Sequence, residues 1–333
     1  MRYSSLIIVT GLANWALAAG PAMSDRFTVS STCDTAKLDA VLTDAITLTN
    51  NAVAALQALI GFKGWLFSST GTGSFASAAE AAFGVGVPDT LSFGYSVKDK
   101  TQLQNALDNY KILQNALVSG IKLNPARHWL FCDSSKLQWT TARLPPFHIS
   151  HQLLQITIEQ FFANSKPKPV KGVKGLWKDP EHKIGTQYIF VRDEYNGGPI
   201  CGPKAAEGIT FQAAGTMFLC PKAWVPTNYK QTLSALPRTG RTTWDDVRNL
   251  PGVFIHEMMH MLPIKPHITD EYYRGDRAYG QLRTLNLGLD TDGFPNANPT
   301  CLTNADSYHV FATIAYLTSA KVVPEEDKAK PAS

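Results

Sequence analysis

Apolar residues fall into two long helical stripes and several short extended runs. Leu38, Val41, Leu42, Ala45, Ile46, Val53, Leu56 and Ile60 follow helical spacing, with Asp34 before them and Gly61 after. An Asx cap and a closing glycine are the ordinary punctuation of a helix. Leu103, Ala106, Leu107, Tyr110, Leu113 and Leu117 share a second helical face, closed by Gly120. Both stripes read as core-facing scaffold. The stretch 61–96 is rich in Gly, Ala and Ser without a clean period, and predicts a short helix over 77–83 with loop around it. Segments 128–132, 188–191 and 216–220 read as strands, the last stopped by Pro221. Asn249-Leu250-Pro251 is a helix start, and that helix runs through His260 until Pro263 and Pro266 end it. Helices in the first part and short strands later predict one α+β domain, with helices packed on a small twisted sheet.

Composition narrows the class. Charged residues are 17% and hydrophobic residues 44% of 333, which excludes a disordered chain. The net charge of +4 is mild, and the basic loop Lys166-Pro167-Lys168-Pro169-Val170-Lys171 has no interleaved aromatics. Nucleic acid is therefore not an expected partner. Residues 1–19 read as a secretory signal peptide: Arg2, a short apolar core, then small residues at Ala18 and Ala19. Thr10, Gly11 and Asn14 interrupt that core, so a membrane anchor is not expected. The expected organisation is a leader at 1–19, one domain with insertions over 20–322, and a flexible tail at 323–333. Export would bring Cys33, Cys132, Cys201, Cys220 and Cys301 into an oxidising compartment. Two disulfides and one unpaired thiol are the simplest arithmetic.

The chemistry concentrates in Val253-Phe254-Ile255-His256-Glu257-Met258-Met259-His260-Met261. Residues four apart share a helix face, so His256 and His260 can point two imidazoles at one metal ion. Glu257 is about 100° further round. That is a poor position for a ligand of the same ion and a good one for deprotonating a water. A catalytic zinc takes three protein ligands and keeps one position open. Pro266 stands where a third histidine of the extended pattern would be. Downstream, Asp270 and Asp276 are the best carboxylates, and the spacing leaves both open.

Asp276-Arg277-Ala278-Tyr279-Gly280 resembles the Asp-x-x-Tyr-Gly segment of the aspzincins, the secreted fungal deuterolysins and peptidyl-lysine metalloendopeptidases. The Leu219-Cys220 strand end followed by Trp224, the Asn304-Ala305-Asp306 segment, and Cys33 before an Ala/Leu helix are similar to other parts of that family. The resemblance implies a zincin-like metallopeptidase domain holding one zinc ion. It implies ligands His256, His260 and Asp276, with Asp270 as the alternative third ligand. It makes Glu257 the general base and Tyr279 a donor to the oxyanion, and turns Asp306 toward the substrate pocket. It pairs Cys33 with Cys132 and Cys201 with Cys220, leaving Cys301 free. His309 stands where the lysine-specific members carry an acidic residue. The implied function is a secreted, monomeric zinc endopeptidase acting on extracellular protein or peptide. The alternative is a secreted binding protein on a catalytically degenerate scaffold of the same kind.

Overall fold

Asp34 Oδ1 accepts from the Lys37 amide at 3.3 Å and opens helix α1, Thr35–Ile60. In the computed structural model the described residues are 21–61, 72–85, 97–119, 128–140, 147–149, 152–154, 176–184, 187–192, 199–202, 206–273, 276–280, 283–284, 286–287, 301–317 and 320–322. The leader expected at 1–19 and the tail at 323–333 lie outside them.

Helix α2, Thr72–Phe83, and helix α3, Val97–Ser119, follow. The site helix α4 is Leu250–Met261, and α5 is Ala305–Tyr316. Helix α1 packs on α3, α4 and α5, and α2 packs on α5. An aromatic cluster joins three of them: Phe83, Tyr110, Tyr308 and Phe311 sit with ring centroids 5.3–5.9 Å apart. Each is fully buried. Such pairs contribute about 0.5–1.5 kcal/mol each beyond their burial.

Helix α2 starts earlier than the 77–83 expected. Ala76, Ala78, Ala79, Ala81 and Ala82 are all buried, so small residues face the core on several sides. A helix buried that way carries no apolar stripe to read.

The main sheet holds β1 (Thr28–Val29), β2 (Trp129–Phe131), β3 (Gly208–Phe211) and β4 (Thr216–Leu219), in the order β1-β2-β4-β3. The first two junctions are parallel, and β3 and β4 form an antiparallel hairpin. Gly215, at φ +62°, makes its turn. Side chains alternate across the sheet. Leu130, Met217 and Leu219 enter the main core with the helices, whereas Trp129, Phe131 and Phe218 enter a smaller cluster with Leu137 and Trp177. Covered on both faces, β2 and β4 read as unbroken apolar runs.

The edge of this sheet on the side of the site is β3 rather than β4. Among the described residues β4 is paired on both sides, while β3 is paired only to β4. Both α4 faces are therefore engaged, β3 and β4 on one side and α1 and α5 on the other.

Two disulfides tie this frame. Cys33–Cys132 joins the start of α1 to the end of β2, and Cys201–Cys220 closes on the end of β4. Cys301 is a buried free thiol. No helix of the described residues is long and apolar enough to cross a membrane.

Candidate metal centre

Helix α4 begins where the sequence places it. Asn249 Oδ1 accepts from the Gly252 amide at 2.7 Å, and Pro251 lies in the first turn. The Asn249 amide group donates to Val247 O and to Thr313 Oγ1 of α5, both at 3.0 Å. Every α4 residue except His260 is buried, so His256, Glu257 and the partly buried His260 lie within an apolar interior.

His256 Nε2 lies 3.2 Å from His260 Nε2. Asp270 Oδ1 lies 3.0 Å from the first and 3.1 Å from the second. Four ligands about 2.0 Å from a tetrahedral ion stand about 3.3 Å apart, so the triangle matches one face of that tetrahedron. These three residues converge as a possible metal-holding group.

The tautomers sharpen the point. His260 Nδ1 is 3.0 Å from the Ile268 carbonyl oxygen, an acceptor, and must carry its proton there. His256 Nδ1 is 3.3 Å from Asp306 Oδ1 and donates likewise. Neutral rings then turn two Nε2 lone pairs and a carboxylate oxygen toward one point. A cation at that point relieves the repulsion. Burial opposes a charge on His256, yet hydrogen bonds to Asp270 and Asp306 outweigh it and raise its pKa well above the ordinary histidine value. Without metal, a proton serves as that cation. The donor set thus fits a divalent ion held by imidazole and carboxylate.

The resemblance gives the third corner first to Asp276; among the described residues the carboxylate that meets the two histidines is that of the alternative, Asp270. The side chain of Asp276 lies outside the described residues; its backbone pairs with Tyr273 in a short hairpin. The start of α5 holds the Asp270 loop. Thr269 N donates to Thr303 O at 2.7 Å, Ala305 N to Thr269 O at 2.9 Å, and Glu271 N to Asn304 Oδ1 at 3.3 Å.

Glu257 Oε1 is 3.9 Å from His256 Nε2. Its Oε2 is buried without a hydrogen-bond partner among the described residues. Burial raises the Glu257 pKa, and the two histidines only partly offset this. A carboxylate so placed is a proton acceptor poised nearer neutrality than a free glutamate. Gly208 of the edge strand makes room for it: a Cβ there would stand 2.5 Å from Glu257 Cγ.

Tyr279 as a residue is 43% exposed, and its ring centroid lies 5.8 Å from that of His256. Burial of the hydroxyl and the Asp270 charge push its pKa up, so the phenol stays protonated and can donate. Arg277 contacts Asp270 Oδ2 and donates to the Tyr279 hydroxyl at 3.0 Å. Asp306 is buried; it accepts from the Gly280 amide through Oδ2 and faces His256 and His309 through Oδ1. Burial would raise its pKa, but the two histidines hold it well below the usual carboxylate range.

A cleft opens on both sides of Glu257. One part, of about 270 Å³, is lined by Trp244, Val253, His256, Asp306 and His309. The other, of about 590 Å³, is lined by Thr210, Lys222, His260, Asp270 and Arg277. Glu257, Tyr279 and Gly208 border both. Arg277, Gly208 and the packing of His309 on Gly252, where a Cβ would lie 2.1 Å from the ring, escaped the sequence reading. No local pattern in the sequence marks any of the three.

No family model matches the sequence, and no curated protein matches it. Among solved structures, the chain is similar to a zinc peptidase from Grifola frondosa, with 13% identity, 84% of this chain and 96% of that chain covered, and a TM-score of 0.36.

Proposed function

We propose that this protein is a secreted zinc-dependent endopeptidase whose metal ligands are His256, His260 and Asp270. The observation that carries the reading is the convergence of two Nε2 lone pairs and one carboxylate oxygen beside a buried Glu257 oxygen that has no hydrogen-bond partner among the described residues. Three protein ligands leave a position open, which is the pattern of a catalytic rather than a structural zinc. When bound, zinc would polarise a scissile carbonyl and acidify water.

The chain's own residues then divide the work. Glu257 accepts the proton of the attacking water and returns it to the leaving amine; its raised pKa suits both directions. Tyr279 donates to the developing oxyanion. Asp306 orients His256 by accepting from its Nδ1. The edge strand β3 runs beside Glu257, with Thr210 Oγ1 donating to the Glu257 carbonyl at 3.1 Å, so an extended peptide can pair along it. The apolar leader at 1–19 and two disulfides support an exported, extracellular setting.

Glu257→Gln tests the reading. The variant is expected to hold zinc as tightly as the wild type and to lose peptide hydrolysis by at least about 100-fold. Retained cleavage would reject the mechanism. A wild-type protein that binds zinc and cleaves no peptide in a proteome-wide digest would favour the binding-protein alternative.

A further inference from the structure

The stretch between Asp270 and Tyr279 doubles back as a hairpin in which Tyr272 pairs with Arg277 and Tyr273 with Asp276. Ala278 N donates to Glu271 O at 2.8 Å and closes the return. The hairpin delivers Arg277 to the side of the metal centre. Its guanidinium reaches Asp270 Oδ2, and the same Nη1 donates to the Tyr279 hydroxyl at 3.0 Å.

Those two contacts have chemical consequences. Asp270 presents Oδ1 to both histidines. A carboxylate can bind a metal through one oxygen or both. With Oδ2 held by a guanidinium, Oδ1 would be the oxygen offered to an ion, and two-oxygen binding would have to break the Arg277 contact. At Tyr279, the guanidinium meets a lone pair of the phenol oxygen, and the phenol's own proton faces the Asp270 carboxylate. A planar guanidinium with several donors in fixed directions can satisfy both partners at once, which a lysine ammonium does less well.

We infer that Arg277 is a positioning residue that restricts Asp270 to one-oxygen ligation and fixes the Tyr279 hydroxyl beside that carboxylate at the edge of the cleft. This rests on the metal-site reading above. Arg277 acts through its two neighbours. Its side chain is 46% exposed, so substitution opens no cavity in the core.

The test uses the full-length protein loaded with cobalt(II), together with Arg277→Ala, Arg277→Lys and Arg277→Gln. Cobalt(II) absorbs more strongly in the visible when four-coordinate than when five-coordinate. Arg277→Ala and Arg277→Gln are expected to lose at least about half of that absorption as Asp270 takes up two-oxygen binding, with the lysine variant between them and the wild type. Peptide turnover should fall about 10–100-fold in kcat, with KM changed less than about threefold, in the range seen for residues that orient a metal site. In a Tyr279→Phe background the same substitution should cost clearly less, because part of its effect runs through the phenol. Cobalt spectra and kcat unchanged in both the alanine and glutamine variants would overturn the inference while leaving the peptidase reading intact. A wild-type protein that binds neither cobalt nor zinc would instead remove the parent reading, and this one with it.

Discussion

Glu257 occupies the space a side chain on Gly208 would need: a Cβ there would lie 2.5 Å from Glu257 Cγ and 2.6 Å from Oε1. The clash falls on the flexible part of the glutamate, so it can be relieved by moving the carboxylate. Gly208→Ala is therefore expected to leave thermal stability within about 1 kcal/mol of the wild type. It should leave zinc affinity unchanged and reduce kcat by about 10–100-fold, because the general base is displaced. Parallel melting curves, chelator competition and turnover measurements would show whether activity falls alone.

Asp270 and Asp276 are separated by one experiment. Asp270→Asn removes an oxygen that touches both histidines. Zinc affinity should drop by more than about 100-fold, since even outer partners of a metal site cost about 10–100-fold. Asp276→Asn should bind zinc as the wild type does. The reverse pattern in a chelator titration would restore Asp276 as the third ligand.

Acid should release the metal early. Burial opposes protonation of His256, but Asp270 and Asp306 overcome it, so the metal-free site takes up a proton at higher pH than an ordinary histidine. Proton and metal compete for the same nitrogen. For the metal-free protein the sign is the usual one for a raised histidine. Its stabilising contribution is full below the unfolded value and fades as pH rises through the folded pKa. Asp306→Asn removes one of the two carboxylates holding that proton. Zinc affinity at pH 8 should weaken about 10–100-fold through loss of ring orientation, and its fall between about pH 8 and pH 6 should be shallower than in the wild type, because the metal-free site competes less for protons. Zinc affinity measured at several pH values from about 5 to 8 in both proteins checks the slope.

Gly252→Ala should be more damaging than a glycine-to-alanine change in a helix normally is. A Cβ there would come within 2.1 Å of His309 Cδ2 and Nε2, and His309 is buried. Alanine gains about 1 kcal/mol of helix propensity. Overpacking of a closed interior costs about 1–3 kcal/mol. The net expectation is destabilisation, measured as a lowered denaturant midpoint with unchanged slope. Gly252→Ala with His309→Ala should recover part of it.

Local signals were legible in the sequence. Asp34 and Asn249 cap their helices through contacts only a few residues long. His256 and His260 share a face because helix geometry puts them there, whatever surrounds the helix. The cysteine pairing implied by the resemblance, Cys33 with Cys132 and Cys201 with Cys220, is the pairing observed. Helix α2 was only partly legible, because its alanines are buried on several sides and leave no period.

Tertiary structure decided what depends on distant chain. Two aspartates in one loop look alike by spacing; the bridge between Thr269 and Asn304 is what holds Asp270 beside the histidines. The edge of the sheet depends on which strand β4 pairs with last. Arg277 reaches its place through a hairpin, and Gly208 and Gly252 matter only because Glu257 and His309 pack against them. A helix sets the angle between its own side chains by itself. The third corner of a metal site, and the room around its base, are set by contacts across the fold, which no local pattern encodes.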